Sequence, residues 1–350
     1  MSQPGARSRV TLAVIWLVLG LVMIGLAGWV GWTRGSVVLS GHPALLIVGI
    51  ASFLLGLVAV AWSIATLAIG DRQDREGDPA HPARRTRTQL ERRARWRIVA
   101  AIPALVVCLL LVVSLAYARP LGATPVAVAA MRSGDDVRVA DRLTWFEMSR
   151  VRKDDAGNAI KPTTGFVFVP GAKVDPRAYA HLLRPLVEAG YFVAVMKEPF
   201  GIAFLDRNHA GTVVALHPEI TYWAVGGHSL GGVAASSYAD GHEQVKGLVL
   251  YASYPSSALT RTDLKVLSVS AQDDGLATPA KIEASKADLP ADTQYLQVAG
   301  ASHSYFGDYG PQKGDNPGTA DRAVAQGEMI TATQTFLASL TPPPPAKKKK

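Results

Sequence analysis

One serine stands between closely spaced glycines at the point where an apolar run stops: Trp223-Ala224-Val225-Gly226-Gly227-His228-Ser229-Leu230-Gly231-Gly232. A small-residue stretch suited to a helix, Val233 to Ala239, follows it. Gly227-x-Ser229-x-Gly231 has the spacing of a nucleophile elbow, a strand-to-helix turn so sharp that the serine is held in strained backbone geometry. Glycines on either side let neighbouring chain approach without a Cβ in the way. Such a turn lifts the hydroxyl above the sheet and aims the N-terminus of the next helix at the place where an oxyanion would form. The motif is short enough to arise by chance, so it needs a strand before it, a helix after it, and chemical partners elsewhere.

Two candidate partners follow. Asp273-Asp274-Gly275 comes just after the apolar run Leu264 to Ser270, and His303 comes just after Thr293 to Val298. A histidine there would take the serine proton as general base, and a carboxylate would fix its tautomer and stabilise the imidazolium. Taken singly, Asp-Asp-Gly is a turn sequence and a loop histidine is unremarkable. Serine, aspartate and histidine in that order, each at the end of a strand, carry the signal. The remaining histidines His209, His217 and His242 are dispersed, and His228 next to the serine reads as a packing or hydrogen-bonding residue. No metal-ligand spacing and no phosphate-binding glycine loop appears, so neither cofactor nor metal is expected.

The elements needed to position these groups are legible around them. Val137–Val139 and Thr144–Met148 read as two strands across a polar turn. Gly165–Val169 reads as a buried strand broken by Pro170-Gly171-Ala172-Lys173, and Asp175-Pro176 starts a helix that Gly190 ends. Tyr191–Val195 and Gly247–Tyr251 read as further strands. One helix is expected near Gly211–Leu216 within 197–218, another from Thr278-Pro279 to about Ala287, with Thr278 as cap, and a closing one through Val324, Ile330, Phe336 and Leu340. Alternating strands and helices over this length predict one α/β domain with a mostly parallel sheet flanked by helices, spanning 135–340. In such sheets functional groups gather at the carboxyl ends of the strands.

From Gly165 to Phe336 the chain resembles the α/β-hydrolase superfamily, and within it the group of dienelactone-hydrolase-like serine esterases. The resemblance rests on Pro170-Gly171-Ala172-Lys173-Val174-Asp175, Gly227-His228-Ser229-Leu230-Gly231-Gly232, Asp274-Gly275-Leu276-Ala277-Thr278 and Gly300-Ala301-Ser302-His303. It implies a cofactor-free serine hydrolase, most simply a carboxylic-ester hydrolase, with catalytic Ser229, Asp274 and His303. Asp274, rather than Asp273, matches the family pattern. The resemblance also implies an oxyanion hole of backbone N–H groups, at Ala172 after the first buried strand and at Leu230 after the nucleophile. Dienelactone hydrolases proper carry cysteine at the elbow, whereas Ser229 stands here.

Residues 1–118 are of another kind. Val10–Trp32, Pro43–Ile69 and Ile98–Tyr117 (spans about 10–32, 43–69 and 98–117) are apolar over bilayer length and predict three transmembrane helices. Nine arginines lie between Asp71 and Arg97, and only Arg34 lies between the first two runs. The positive-inside rule then puts the N-terminus in the cytoplasm and the catalytic domain outside it. The net charge of +8 does not indicate nucleic acid. Residues 119–346 carry 20 basic and 23 acidic side chains, and the excess sits beside the membrane and in Lys347–Lys350. Residues 119–134 read as a linker and 341–350 as a disordered Pro/Lys tail.

The expected partners are therefore a small-molecule or lipid acyl substrate and the bilayer. The expected function is a membrane-anchored serine hydrolase working through an acyl-enzyme. A non-catalytic membrane-tethered scaffold on the same fold is the alternative. About a dozen residues separate Tyr251 from Leu264, too few for a helical lid. The site should be open to water, and suited to short acyl chains, unless the 197–218 segment or the membrane covers it.

Overall fold

Apolar runs of five to seven residues, separated by Gly- and Pro-punctuated helical stretches, build an eight-stranded sheet in the computed structural model, which describes residues 4–75, 87–117, 119–154, 157 and 159–341. The strands are β1 (Val137–Asp141), β2 (Trp145–Arg150), β3 (Thr164–Val169), β4 (Phe192–Met196), β5 (Tyr222–His228), β6 (Val245–Tyr251), β7 (Lys265–Ala271) and β8 (Gln294–Val298). Their order is β1-β2-β4-β3-β5-β6-β7-β8. β1–β2 and β2–β4 pair antiparallel and every later pair is parallel.

The central strands are buried on both faces, so they read as continuous apolar runs rather than alternating ones. In β3, Phe166 and Phe168 join one core with Leu183, Leu186, Met329 and Phe336, which come from α5 (Ala180–Glu188) and α9 (Arg322–Ala338). Val167 and Val169 point the other way. They join Val213, Ala234, Ala235 and Tyr238 from α6 (His209–Leu216) and α7 (Leu230–Asp240). Residues 252–264, between β6 and β7, contain no helix, and α8 (Pro279–Ala284) is short. This is the α/β-hydrolase architecture without a large cap.

Three long helices precede it, α1 (Pro4–Ser40), α2 (Pro43–Arg75) and α3 (Arg87–Tyr117). Arg9–Ser40, Pro43–Ala68 and Val99–Tyr117 within them are long and apolar enough to cross a membrane. α1 and α2 meet at Gly20 and Gly56, where a Cβ on either glycine would lie 2.8 Å from the other's carbonyl oxygen. Such small-residue contacts let apolar helices pack backbone to backbone.

Four details differ from the expectations. The first helix does not stop near Trp32 but runs to Ser40, so Arg34 lies inside it. The Thr33 and Ser40 hydroxyls donate to the carbonyls of Trp29 and Ser36 four residues back and spend no bond on ending the helix. Residues 119–134 are not a free linker. They contain a further helix, α4 (Pro125–Ala130), with Ala127 and Ala130 buried, and its preceding residues are bonded into the hydrolase unit. Thr278 precedes its helix but makes no side-chain cap, while Asp175 does cap, accepting the Arg177 N–H at 3.0 Å. The segment after β4 holds two short 3₁₀ turns as well as α6. The Pro/Lys tail and part of the arginine-rich stretch, 76–86, lie outside the described residues.

Candidate active site

β5 ends at His228, and Ser229 turns the chain with φ 53° and ψ −126° before α7 begins at the next residue. A non-glycine residue at positive φ is strained and persists only where its surroundings over-determine it. Those surroundings are explicit. The Ser229 N–H donates to the Tyr251 carbonyl at 2.9 Å, tying the turn to the end of β6. Ser253 Oγ donates to the Ser229 carbonyl at 2.6 Å. A Cβ on Gly227 would lie 2.6 Å from the Val169 carbonyl oxygen, and one on Gly231 would strike the carbonyls of Val169 and Pro170. Both motif glycines are thus demanded by the close packing of β3, β5 and α7.

Asp274 follows β7 and is buried. Its Oδ1 accepts the N–H groups of Leu276 at 2.7 Å and Ala277 at 2.8 Å, and its Oδ2 accepts His303 Nδ1–H at 2.8 Å. These three donors satisfy the oxygens of a buried carboxylate. Asp273 faces elsewhere and accepts the Thr319 hydroxyl at 2.9 Å. With Nδ1 donating, His303 carries its lone pair on Nε2, which is buried and has no partner among the described residues. No hydrogen bond joins that nitrogen to Ser229 Oγ in this structure. The His303 ring lies 4.5 Å, centroid to centroid, from that of His228, the residue before Ser229. Catalytic contacts of this kind commonly tighten only once substrate is bound.

Gly171 and Ala172 follow β3. The Gly171 N–H donates to the Tyr179 hydroxyl at 2.9 Å, so it is occupied. Among the described residues no bond is made by the N–H of Ala172 or of Leu230. These are the two groups expected to form the oxyanion hole. Burial and the nearby His303 ring hold His228 well below the usual histidine range, leaving Nδ1 free to accept the Tyr179 O–H at 2.9 Å. Tyr179 therefore bridges the oxyanion loop and the elbow.

Three features escaped the sequence reading. Asp315 accepts the N–H groups of Gly275 (3.2 Å), His303 (3.2 Å) and Ser304 (3.0 Å), clamping the loop that bears Asp274 to the loop that bears His303. Ser253 fixes the elbow carbonyl, as above. The chain just after the third apolar helix also holds these loops. The Leu121 N–H donates to the Lys173 carbonyl at 2.6 Å and the Asp175 N–H to the Leu121 carbonyl at 2.8 Å. The Thr124 N–H donates to the Asp308 carbonyl at 2.8 Å. None of these residues stands in a local pattern; only the Asp175-Pro176 helix start, which places Asp175 opposite Leu121, was readable.

A parallel sheet with a nucleophile elbow between strand and helix, and an acid–histidine pair on the later strand ends, is the α/β-hydrolase plan. Accordingly, residues 165–326 match the model of the alpha/beta hydrolase family, and this part of the chain has the α/β-hydrolase fold. Among solved structures the chain is similar to a dienelactone hydrolase-like promiscuous phosphotriesterase from metagenomic libraries. That likeness has 17% identity and a TM-score of 0.43, covering 58% of this chain and 98% of the other. No curated protein sequence matches it.

The two aspartates make a direct test. Asp274→Asn should lower turnover far more than Asp273→Asn, because the amide would hold His303 in the wrong tautomer; equal losses, or the reverse ranking, would remove Asp274 from its role. His228 gives a pH test. Its folded pKa is depressed below the ordinary 6.5, so its stabilising share is full above that pH and is lost as pH falls below it. Melting temperature should therefore decline on acidification through the histidine range, and His228→Gln should flatten that decline.

Proposed function

We propose that this chain is a membrane-anchored serine hydrolase that cleaves an ester or related acyl bond through Ser229, His303 and Asp274. The observation that carries this reading is the Asp274–His303 hydrogen bond. It fixes the proton on Nδ1 and leaves a buried, unpaired Nε2 beside a strained serine turn. His303 Nε2 takes the Ser229 proton as Oγ attacks the acyl carbon, and Asp274 stabilises the imidazolium. The developing oxyanion accepts the N–H groups of Ala172 and Leu230. His303 then passes its proton to the leaving alcohol, and an acyl-Ser229 ester remains. A water deprotonated by the same nitrogen attacks that ester, the oxyanion forms again, and its collapse returns the proton to Ser229 and releases the acid.

The helices α1, α2 and α3 anchor the chain, with the N-terminus and the arginine-rich segment in the cytoplasm and the hydrolase domain on the opposite side. The three membrane-capable helices support the anchoring, and the nine arginines between Asp71 and Arg97, against Arg34 alone between the first two runs, support the orientation.

Ser229→Ala should abolish labelling of the full chain by a fluorophosphonate probe and lower turnover by several orders of magnitude. Substantial hydrolysis by a clean Ser229→Ala preparation would refute the mechanism. For orientation, protease added to intact spheroplasts should digest the hydrolase domain. A domain that is cut only after lysis would lie in the cytoplasm.

A further inference from the structure

The carboxyl edge of the sheet carries the candidate site, and the rim of that edge is apolar. The Lys197 N–H donates to the Thr144 carbonyl at 2.8 Å, which sets the β1–β2 turn beside the end of β4. At that turn Leu143 is 72% exposed. The segment after β4 presents half-buried Phe200, Ile202 and Phe204, followed by Leu205, 58% exposed. It abuts the oxyanion loop, since the Lys173 N–H donates to the Gly201 carbonyl at 2.8 Å. Arg207 stands over the Phe204 ring at 5.1 Å, and Arg142 is exposed next to Leu143. Acidic groups here are Asp141, paired with Lys197 at 2.6 Å, Glu147, which holds Arg142 at 2.9 Å, buried Glu198 beside His209, and exposed Asp206.

The path of the chain says what lies against this rim. Leu121, bonded to Lys173, comes four residues after Tyr117, the last residue of the third apolar helix. Four residues reach at most about 14 Å. The covalent tether therefore enters the hydrolase unit at its catalytic edge.

We propose that this rim is a lipid-docking surface: Leu143, Phe200, Ile202, Phe204 and Leu205 rest in the interface of the bilayer that holds the three helices, with Arg142 and Arg207 at the level of the lipid phosphates. Exposed apolar side chains flanked by arginines suit that boundary, where apolar area leaves water and cations meet anionic headgroups. The proposal rests on the membrane anchoring proposed above. On the hydrolase reading it means that ester substrates reach Ser229 from the lipid side.

The test uses the full chain in liposomes containing anionic lipid. Cys108→Ala removes the sole cysteine, and single spin labels are placed through Leu143→Cys, Leu205→Cys, Val151→Cys and Val107→Cys. Val151 follows β2 at the opposite edge of the sheet and is 47% exposed, and Val107 is exposed within the third apolar helix. Relaxation by oxygen, which concentrates in lipid, is compared with relaxation by a water-soluble nickel chelate. The expected result is a several-fold higher oxygen-to-nickel ratio at positions 143, 205 and 107 than at 151. A lipid signature at 107 with aqueous ratios at 143 and 205 overturns the docking surface alone, whereas an aqueous ratio at 107 overturns the anchoring as well. Labels at 143 and 205 shielded from both relaxants would signal a protein on this edge and would overturn the bilayer assignment.

Discussion

The elbow at Ser229 constrains everything around it. A residue at φ 53° is held there only because β3, β5 and α7 pack so closely that Gly227 and Gly231 have no room for a Cβ. The strain costs on the order of 1–3 kcal/mol. It is offset by two bonds from the neighbouring strand end, from the Ser229 N–H to Tyr251 and from Ser253 Oγ to the Ser229 carbonyl. Relaxing the turn would break both bonds and pull α7 away from the carbonyls of Val169 and Pro170. Those carbonyls begin the loop that bears Ala172, so the geometry of Ser229 and of the Ala172 and Leu230 N–H groups is one constraint.

Polar groups buried behind this turn form two connected sets. In one, Asp274 meets three donors and leaves its histidine with a single free nitrogen. In the other, Tyr179 takes the Gly171 N–H and gives its own proton to His228, whose burial keeps it neutral. The second set decides which N–H of the loop after β3 stays available. The Gly171 N–H is occupied, whereas the Ala172 N–H makes no bond among the described residues. Asp315 then ties the loops of Asp274 and His303 to each other.

Much of this was readable because it was local. The buried strands announce themselves as apolar runs, and the elbow as glycines at fixed spacing around a serine. Asp274 and His303 stand where strands end. What was not readable depends on contacts between distant loops. Asp315 sits in Lys313-Gly314-Asp315-Asn316-Pro317, which looks like any turn, and its role comes from N–H groups 40, 12 and 11 residues away. Pro120-Leu121-Gly122-Ala123-Thr124 has linker composition, and what orders it is strand-like pairing with 173–175. The length of α1 was missed for the opposite reason: a polar interval at Thr33 to Ser36 resembles an exit from the membrane, but nothing in it breaks a helix.

The absence of a helix between β6 and β7 bears on how such a domain handles acyl chains. Each methylene moved from water into an apolar pocket is worth about 0.8 kcal/mol, so a lidded hydrolase can extract a long chain from lipid by enclosing it. Residues 252–264 supply no helix to enclose such a chain, and drawing a long chain into water would cost that amount for every methylene. Two solutions avoid the cost. Either the substrate is short and dissolved, or the chain stays in lipid while only its ester group reaches the elbow. The second requires the carboxyl edge of the sheet to stand at the depth of the ester bonds.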